Sequence, residues 1–101
     1  MEFLKVASRS QLGRNAVIEV MVGNRPYAIC DVEGVVYGIG GECPHRGGPL
    51  GHGGIEGSTV VCPWHSWEWD CRSGANLHNP AQTIPTFPVR IDNDDILLGV
   101  G

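Results

Sequence analysis

Two cysteines and two histidines stand in paired positions in this chain: Cys43-Pro44-His45 and, after residues 46–61, Cys62-Pro63-Trp64-His65. Thiolate and neutral imidazole are donors for zinc, iron and iron–sulfur clusters. Taken singly, each residue has an ordinary reading. A lone strand cysteine is usually a small buried hydrophobe, and a lone histidine is polar surface. Four such residues in two matched pairs, each bordered by glycine and proline, form a metal-site pattern. Zinc fingers draw both cysteines from one knuckle and both histidines from another. Here each segment gives one of each, and only one residue separates the first pair. That mixture suits a two-iron cluster, with two Cys on one iron and two His on the other. A zinc site remains the alternative.

The donor set also fixes the electrostatics of a redox centre. Two ferric irons, two sulfides and two thiolates are neutral together, whereas four thiolates would leave a double negative charge. A neutral centre accepts an electron more readily. The expected potential is therefore about −150 to +300 mV, against about −400 mV for an all-cysteine plant-type centre.

These ligands need short, rigid supports, and the rest of the sequence supplies strands. Apolar residues alternate with period two in Phe3–Ala7, Ala16–Val22, Tyr27–Val32 and Val35–Ile39. Gly23-Asn24 and Glu33-Gly34 are two-residue hairpin signals that join the last three into a meander. From Gly40 to Gly57 the chain is too rich in Gly and Pro to predict strand or helix. Strands resume at Thr59–Cys62 and Ser66–Asp70, and Asp70–Gly74 is a turn. Phe87–Ile91 and Ile96–Val100 close the chain through a turn at Asp92–Asp95. No helix of any length is expected. Long loops within a compact domain are usually functional, which directs attention to residues 40–82.

The 101 residues suffice for one domain, residues 1–101, and leave no room for a separate catalytic domain. Fifteen Gly and seven Pro agree with an all-β chain of short elements and tight turns. The formal charge of −4 disfavours a nucleic-acid partner and permits docking to a basic protein surface. Glu2, Lys5, Arg9 and Arg14 interrupt the first residues, so neither a signal peptide nor a membrane span is expected. A cytoplasmic setting, where thiols stay reduced, makes metal binding a better use of four cysteines than disulfides.

Cys43-Pro44-His45-Arg46-Gly47-Gly48-Pro49-Leu50 and Cys62-Pro63-Trp64-His65 resemble the two boxes of the Rieske family. The resemblance continues into Trp69-Asp70, Ser73-Gly74 and Asn79-Pro80, where the family places a third, proline-containing loop. It implies an antiparallel β-sheet base domain with an inserted cluster-binding subdomain at about residues 41–71. It also implies one [2Fe–2S] cluster, with Cys43 and Cys62 on an inner iron and His45 and His65 on an outer iron. High-potential members carry a disulfide between the cluster loops and Ser and Tyr hydroxyls on the sulfurs. Gly48 and Trp64 stand in place of the disulfide here, and Trp67 and Trp69 in place of the hydroxyls. A potential near the low end of the range is therefore expected.

The functional expectation is an electron carrier with no catalytic residues of its own. It resembles the ferredoxins that pass electrons from a flavin-dependent, NAD(P)H-linked reductase to a terminal ring-hydroxylating oxygenase. The small subunit of an assimilatory nitrite reductase and a non-redox, metal-stabilised assembly module are the alternatives. Gly47, Gly48, Gly51, Gly53 and Gly54 could let backbone approach the cluster or be ordinary loop residues. Pro44, Pro63 and Pro80 are stiffeners or plain turn prolines. Trp64 is a candidate cover or partner contact, while Trp67 and Trp69 read as core. Cys30 alternates with Ala28 and Val32 and reads as a buried thiol. Cys71, in a turn, is a candidate for exposure, and a Cys30–Cys71 disulfide is the minor alternative. His52 and His78 read as solvated surface, and Ser66 departs from the family's usual glycine after the second histidine.

Overall fold

The computed structural model describes residues 2–44, 47–64 and 66–100. In chain order its strands are β1 (Glu2–Ser8), β2 (Val17–Val22), β3 (Arg25–Val32), β4 (Val35–Gly40), β5 (Gly54–Glu56), β6 (Thr59–Val61), β7 (Glu68–Asp70), β8 (Thr86–Phe87), β9 (Val89–Asp92) and β10 (Asp95–Val100). They form three sheets, ordered β1-β10-β9, β2-β3-β4-β8 and β5-β6-β7. Each pairing within them is antiparallel. The expected all-β fold is present. The helical content of the described residues is two 3₁₀ turns, Arg9–Gln11 and Leu50–His52.

The β2-β3-β4 meander follows from its turns. Gly23 lies at φ 63°, and Glu33 and Gly34 lie at 53° and 88°. Two successive positive φ values give a hairpin turn whose twist matches that of its strands. The resulting register sets Ala28 opposite Ile39 and Cys30 opposite Tyr37. Side chains then alternate between two cores. Ala28, Cys30 and Ile39 join Cys43, Leu50, Val60, Cys62, Trp69 and Cys71 on one face. Tyr27 and Ile29 join Ile96, Leu98 and Val20 on the other. Strand β3 is thus the shared wall, with the β1-β10-β9 sheet packed on one side and the cysteine loops and third sheet on the other.

Within residues 40–57 the structure corrects the expectation of irregular chain throughout. Leu50–His52 forms a 3₁₀ turn, and β5 pairs with β6 through Gly54–Val61, Ile55–Val60 and Glu56–Thr59. The ladder supplied by β6 and the partly buried Ile55 side chain override the weak local propensity of a glycine-rich segment. Gly53, just before β5, passes so close to β6 that a Cβ there would overlap the Val61 carbonyl oxygen. The expected strand Phe87–Ile91 is divided at Pro88, which has no N–H to donate to a ladder.

Asp31 ties the meander to the preceding loop. Its carboxylate is fully buried, accepts from the backbone N–H groups of Asn15 (3.1 Å) and Gly34 (3.0 Å), and pairs with the Arg9 guanidinium. Burial pushes the carboxyl up. The two N–H donors and Arg9 outweigh that effect and hold it below the usual carboxylate range.

Candidate metal centre

Each cysteine box opens a tight loop on its cysteine. The Cys43 N–H donates to the Gly48 carbonyl (2.8 Å), and the Cys62 N–H donates to the Trp67 carbonyl (2.7 Å). Both closures span five positions, so the loops match although their sequences differ. The first loop is tightened by the Gly47 N–H on the Cys43 carbonyl (2.7 Å), with Gly47 at φ 73°. Its base is fixed by a bridge between Glu42 and Pro49 and by the Leu50 N–H on the Gly41 carbonyl (3.0 Å). The second loop runs from the end of β6 to the start of β7, so the third sheet sets its position.

The loops bring the two cysteines together. Cys43 and Cys62 are each 1% exposed. Burial pushes the Cys62 thiol up, and the adjacent Cys43 thiol adds to that, while the Trp64 backbone N–H aimed at the sulfur opposes it. Two neighbouring buried sulfurs are the donors that a metal takes as thiolates. Close approach is built in at Gly48, where a Cβ would stand 2.7 Å from the Cys62 Sγ and 3.3 Å from the Trp64 side chain. The Trp69 indole N–H is buried in the same core and has no acceptor among the described residues. This donor set fits the inner half of a two-thiolate, two-imidazole iron–sulfur centre.

A third segment flanks the site. Asn76, only 3% exposed, accepts from the backbone N–H groups of His78 (2.8 Å) and Asn79 (3.0 Å). It also bridges to Trp69, and the Leu77 N–H donates to the Glu68 carbonyl (3.0 Å), so residues 76–82 are held against β7. Pro80 stands within this loop and is exposed.

The structure thus joins two of the four expected ligands, Cys43 and Cys62. His45 and His65 fall within the two loops by sequence and lie outside the described residues. Trp69 is core, as expected, and Trp67 packs against it with ring centroids 6.2 Å apart. Trp64 is 48% exposed beside the second cysteine. His52 and His78 are exposed, His52 next to Glu19 (3.1 Å). Cys71 is buried, contrary to its turn context, because β6 and β7 fold its turn back onto the core. Two organising residues escaped the sequence reading. Asn76 carried a faint signal in the polar Asn-Leu-His-Asn-Pro run, while Asp31 carried none beyond its place before a turn.

The model of the Rieske [2Fe–2S] domain matches residues 2–88. The chain belongs to the Rieske [2Fe–2S] family. It is 28% identical over 99 residues to the ferredoxin component of the naphthalene 1,2-dioxygenase system of Pseudomonas putida, covering 97% of this chain and 95% of that one. Among solved structures it superposes on the Sphingomonas yanoikuyae B1 ferredoxin with a TM-score of 0.88, at 24% identity and over 99% and 100% of the two chains. It also superposes on a Mycobacterium tuberculosis chain described as an NADH-dependent nitrite reductase small subunit, with a TM-score of 0.85 at 17% identity, over 96% and 93%. At these identities the structural likenesses establish the Rieske fold shared by all three. No helix among the described residues is long and apolar enough to cross a membrane.

Proposed function

We propose that this chain is a single-electron carrier of the dioxygenase-ferredoxin kind, whose cluster is held by Cys43, His45, Cys62 and His65. Residues 41–71 act as the cluster-binding subdomain within a single domain spanning residues 1–101. The observation that carries the reading is the meeting of Cys43 and Cys62, both buried, at the start of two matching loops. When bound, a Rieske cluster supplies one reversible electron. The protein contributes the rest. Cys43 and Cys62 would hold one iron through their thiolates, and the backbone closures at Gly48 and Trp67 limit reorganisation of the loops. Trp64 borders the site at the surface, where a partner protein can reach it.

The electron comes from a flavin-dependent, NAD(P)H-linked reductase and goes to a terminal oxygenase, in a cytoplasmic setting. Likeness to named ferredoxin components along nearly the whole chain supports this over the nitrite-reductase alternative, which rests on fold alone. Purified protein should be red-brown, bleach with dithionite and give a rhombic EPR signal of low average g. His45→Ala and His65→Ala should each remove the colour and most of the iron. The reading fails if the wild type is a colourless zinc protein, or if either variant keeps full absorbance and iron. Turnover with a dioxygenase reductase and oxygenase, absent when this chain is omitted, tests the partners.

A further inference from the structure

A second pair of thiols lies apart from the cluster loops. Cys30, in β3, and Cys71, after β7, are 0% and 1% exposed and belong to the same core. The two thiols are neighbours in that core, and neither is in a disulfide. They lie at the seam between the meander and the third sheet. At that seam a cavity of about 180 Å³ is lined by Val32 and Tyr37 from one side and by Ser58, Asp70, Cys71 and Arg72 from the other. Tyr37 is the register partner of Cys30, and Val32 is two residues along the same strand, so the cavity opens onto the Cys30 face of the meander. The Arg72 guanidinium stands against the Tyr37 hydroxyl at its rim.

We propose that Cys30 and Cys71 form an oxidisable dithiol, a modification site for small hydroperoxides at the seam between the two sheets. The cavity assigns the roles. Cys71 lines it and meets the oxidant, and Cys30 lies behind it as the resolving thiol. The Cys71 thiol beside Cys30, together with burial, pushes Cys30 well above the ordinary thiol range.

The chemistry has two steps. The Cys71 sulfur attacks one peroxide oxygen; the O–O bond breaks, a sulfenic acid forms, and the other oxygen leaves with the thiol proton as water or an alcohol. The Cys30 sulfur then attacks the sulfenic sulfur; the S–S bond forms, the S–O bond breaks, and hydroxyl and thiol proton leave as water. Two thiols lose two electrons, and one hydroperoxide gains them. The link would enclose residues 31–70, both cysteine loops included, and bind the cluster-bearing sheet to the meander.

Wild-type holoprotein treated anaerobically with a few equivalents of hydrogen peroxide, alkylated in denaturant and digested without reductant, provides the test. Mass spectrometry should find the Cys30 and Cys71 peptides joined and lighter by two hydrogens than the reduced pair, with visible absorbance retained. Dithiothreitol should reverse the link. Cys30→Ser should accumulate a dimedone-reactive sulfenic acid at Cys71, while Cys71→Ser should leave Cys30 fully alkylatable. The proposal is overturned if the wild type keeps both thiols alkylatable. It is equally overturned if the link appears only in step with loss of colour, or if Cys43 or Cys62 pairs first. The wild-type measurement decides even if a variant does not fold, and the retained colour separates this result from the electron-carrier reading.

Discussion

A Cβ on Gly48 would stand 2.7 Å from the Cys62 Sγ, on the facing loop. Van der Waals contact between carbon and sulfur needs roughly another ångström, and the neighbours here are the cysteine and Trp64, not a flexible tip. Gly48→Ala should therefore spread the loops and cost about 1–3 kcal/mol, as overpacking does. Iron per protein and visible absorbance should fall. Gly54→Ala, where the added carbon meets nothing within 4 Å, should keep both at wild-type levels. Equal iron content in the two variants would contradict this.

Ser66, after the second histidine, holds φ at 58°. The position demands the left-handed region, which costs an ordinary L-residue about 1–2 kcal/mol and glycine almost nothing. Glycine's extra freedom in the unfolded chain removes part of that gain. Ser66→Gly should stabilise the holoprotein by about 0.5–1 kcal/mol, read as a higher denaturant midpoint with an unchanged slope. Glycine would adopt this conformation without the cost that serine bears.

Asp31→Asn should destabilise the fold by about 1–3 kcal/mol, because a buried acceptor of two backbone N–H groups loses its charge. Arg9, its partner, still reaches solvent with its side chain 30% exposed, which limits the loss. The pH dependence has a definite sign. The folded carboxyl lies below its unfolded value of about 3.9, so its contribution is complete above that pH and disappears as pH falls through the folded value. Thermal midpoints of wild type and Asp31→Asn should differ most near neutrality and converge on acidification below about pH 4. A gap that widens in acid would show that another group dominates.

The midpoint potential should lie near the low end of the Rieske range, about −150 mV. By its resemblance to the family's second box, the chain has Trp67 and Trp69 where high-potential members have hydroxyl side chains on the sulfurs, and such bonds favour the reduced, more negative state. An EPR-monitored redox titration measures this, and a midpoint well above zero would reject it. Trp69→Phe then separates the remaining donor from its ring. If the indole N–H bonds a sulfur of the centre, the variant should titrate lower still.

Much of the molecule could be read before folding was considered. Alternation with period two marked β1 to β4 and β10, because a half-buried strand writes its two faces into the sequence. The hairpin turns were equally legible, since left-handed backbone restricts the residue types that can occupy it. Cys43 and Cys62 announced themselves by spacing and by their glycine and proline neighbours. Strand β5 did not, because Gly54-Ile55-Glu56 has little preference of its own and becomes a strand only when β6 offers it a ladder.

Side-chain chemistry far apart in sequence belonged to tertiary structure alone. Cys71 looked like a surface turn residue until the third sheet laid it against Cys30. Asp31 looked like turn polarity until Arg9 and the Asn15 N–H arrived from the preceding loop. Ligand types and turn geometry are local properties, fixed by donor atoms and allowed backbone angles. Burial, close approach and the company a buried group keeps depend on which surfaces meet, and only the packed sheets determine that.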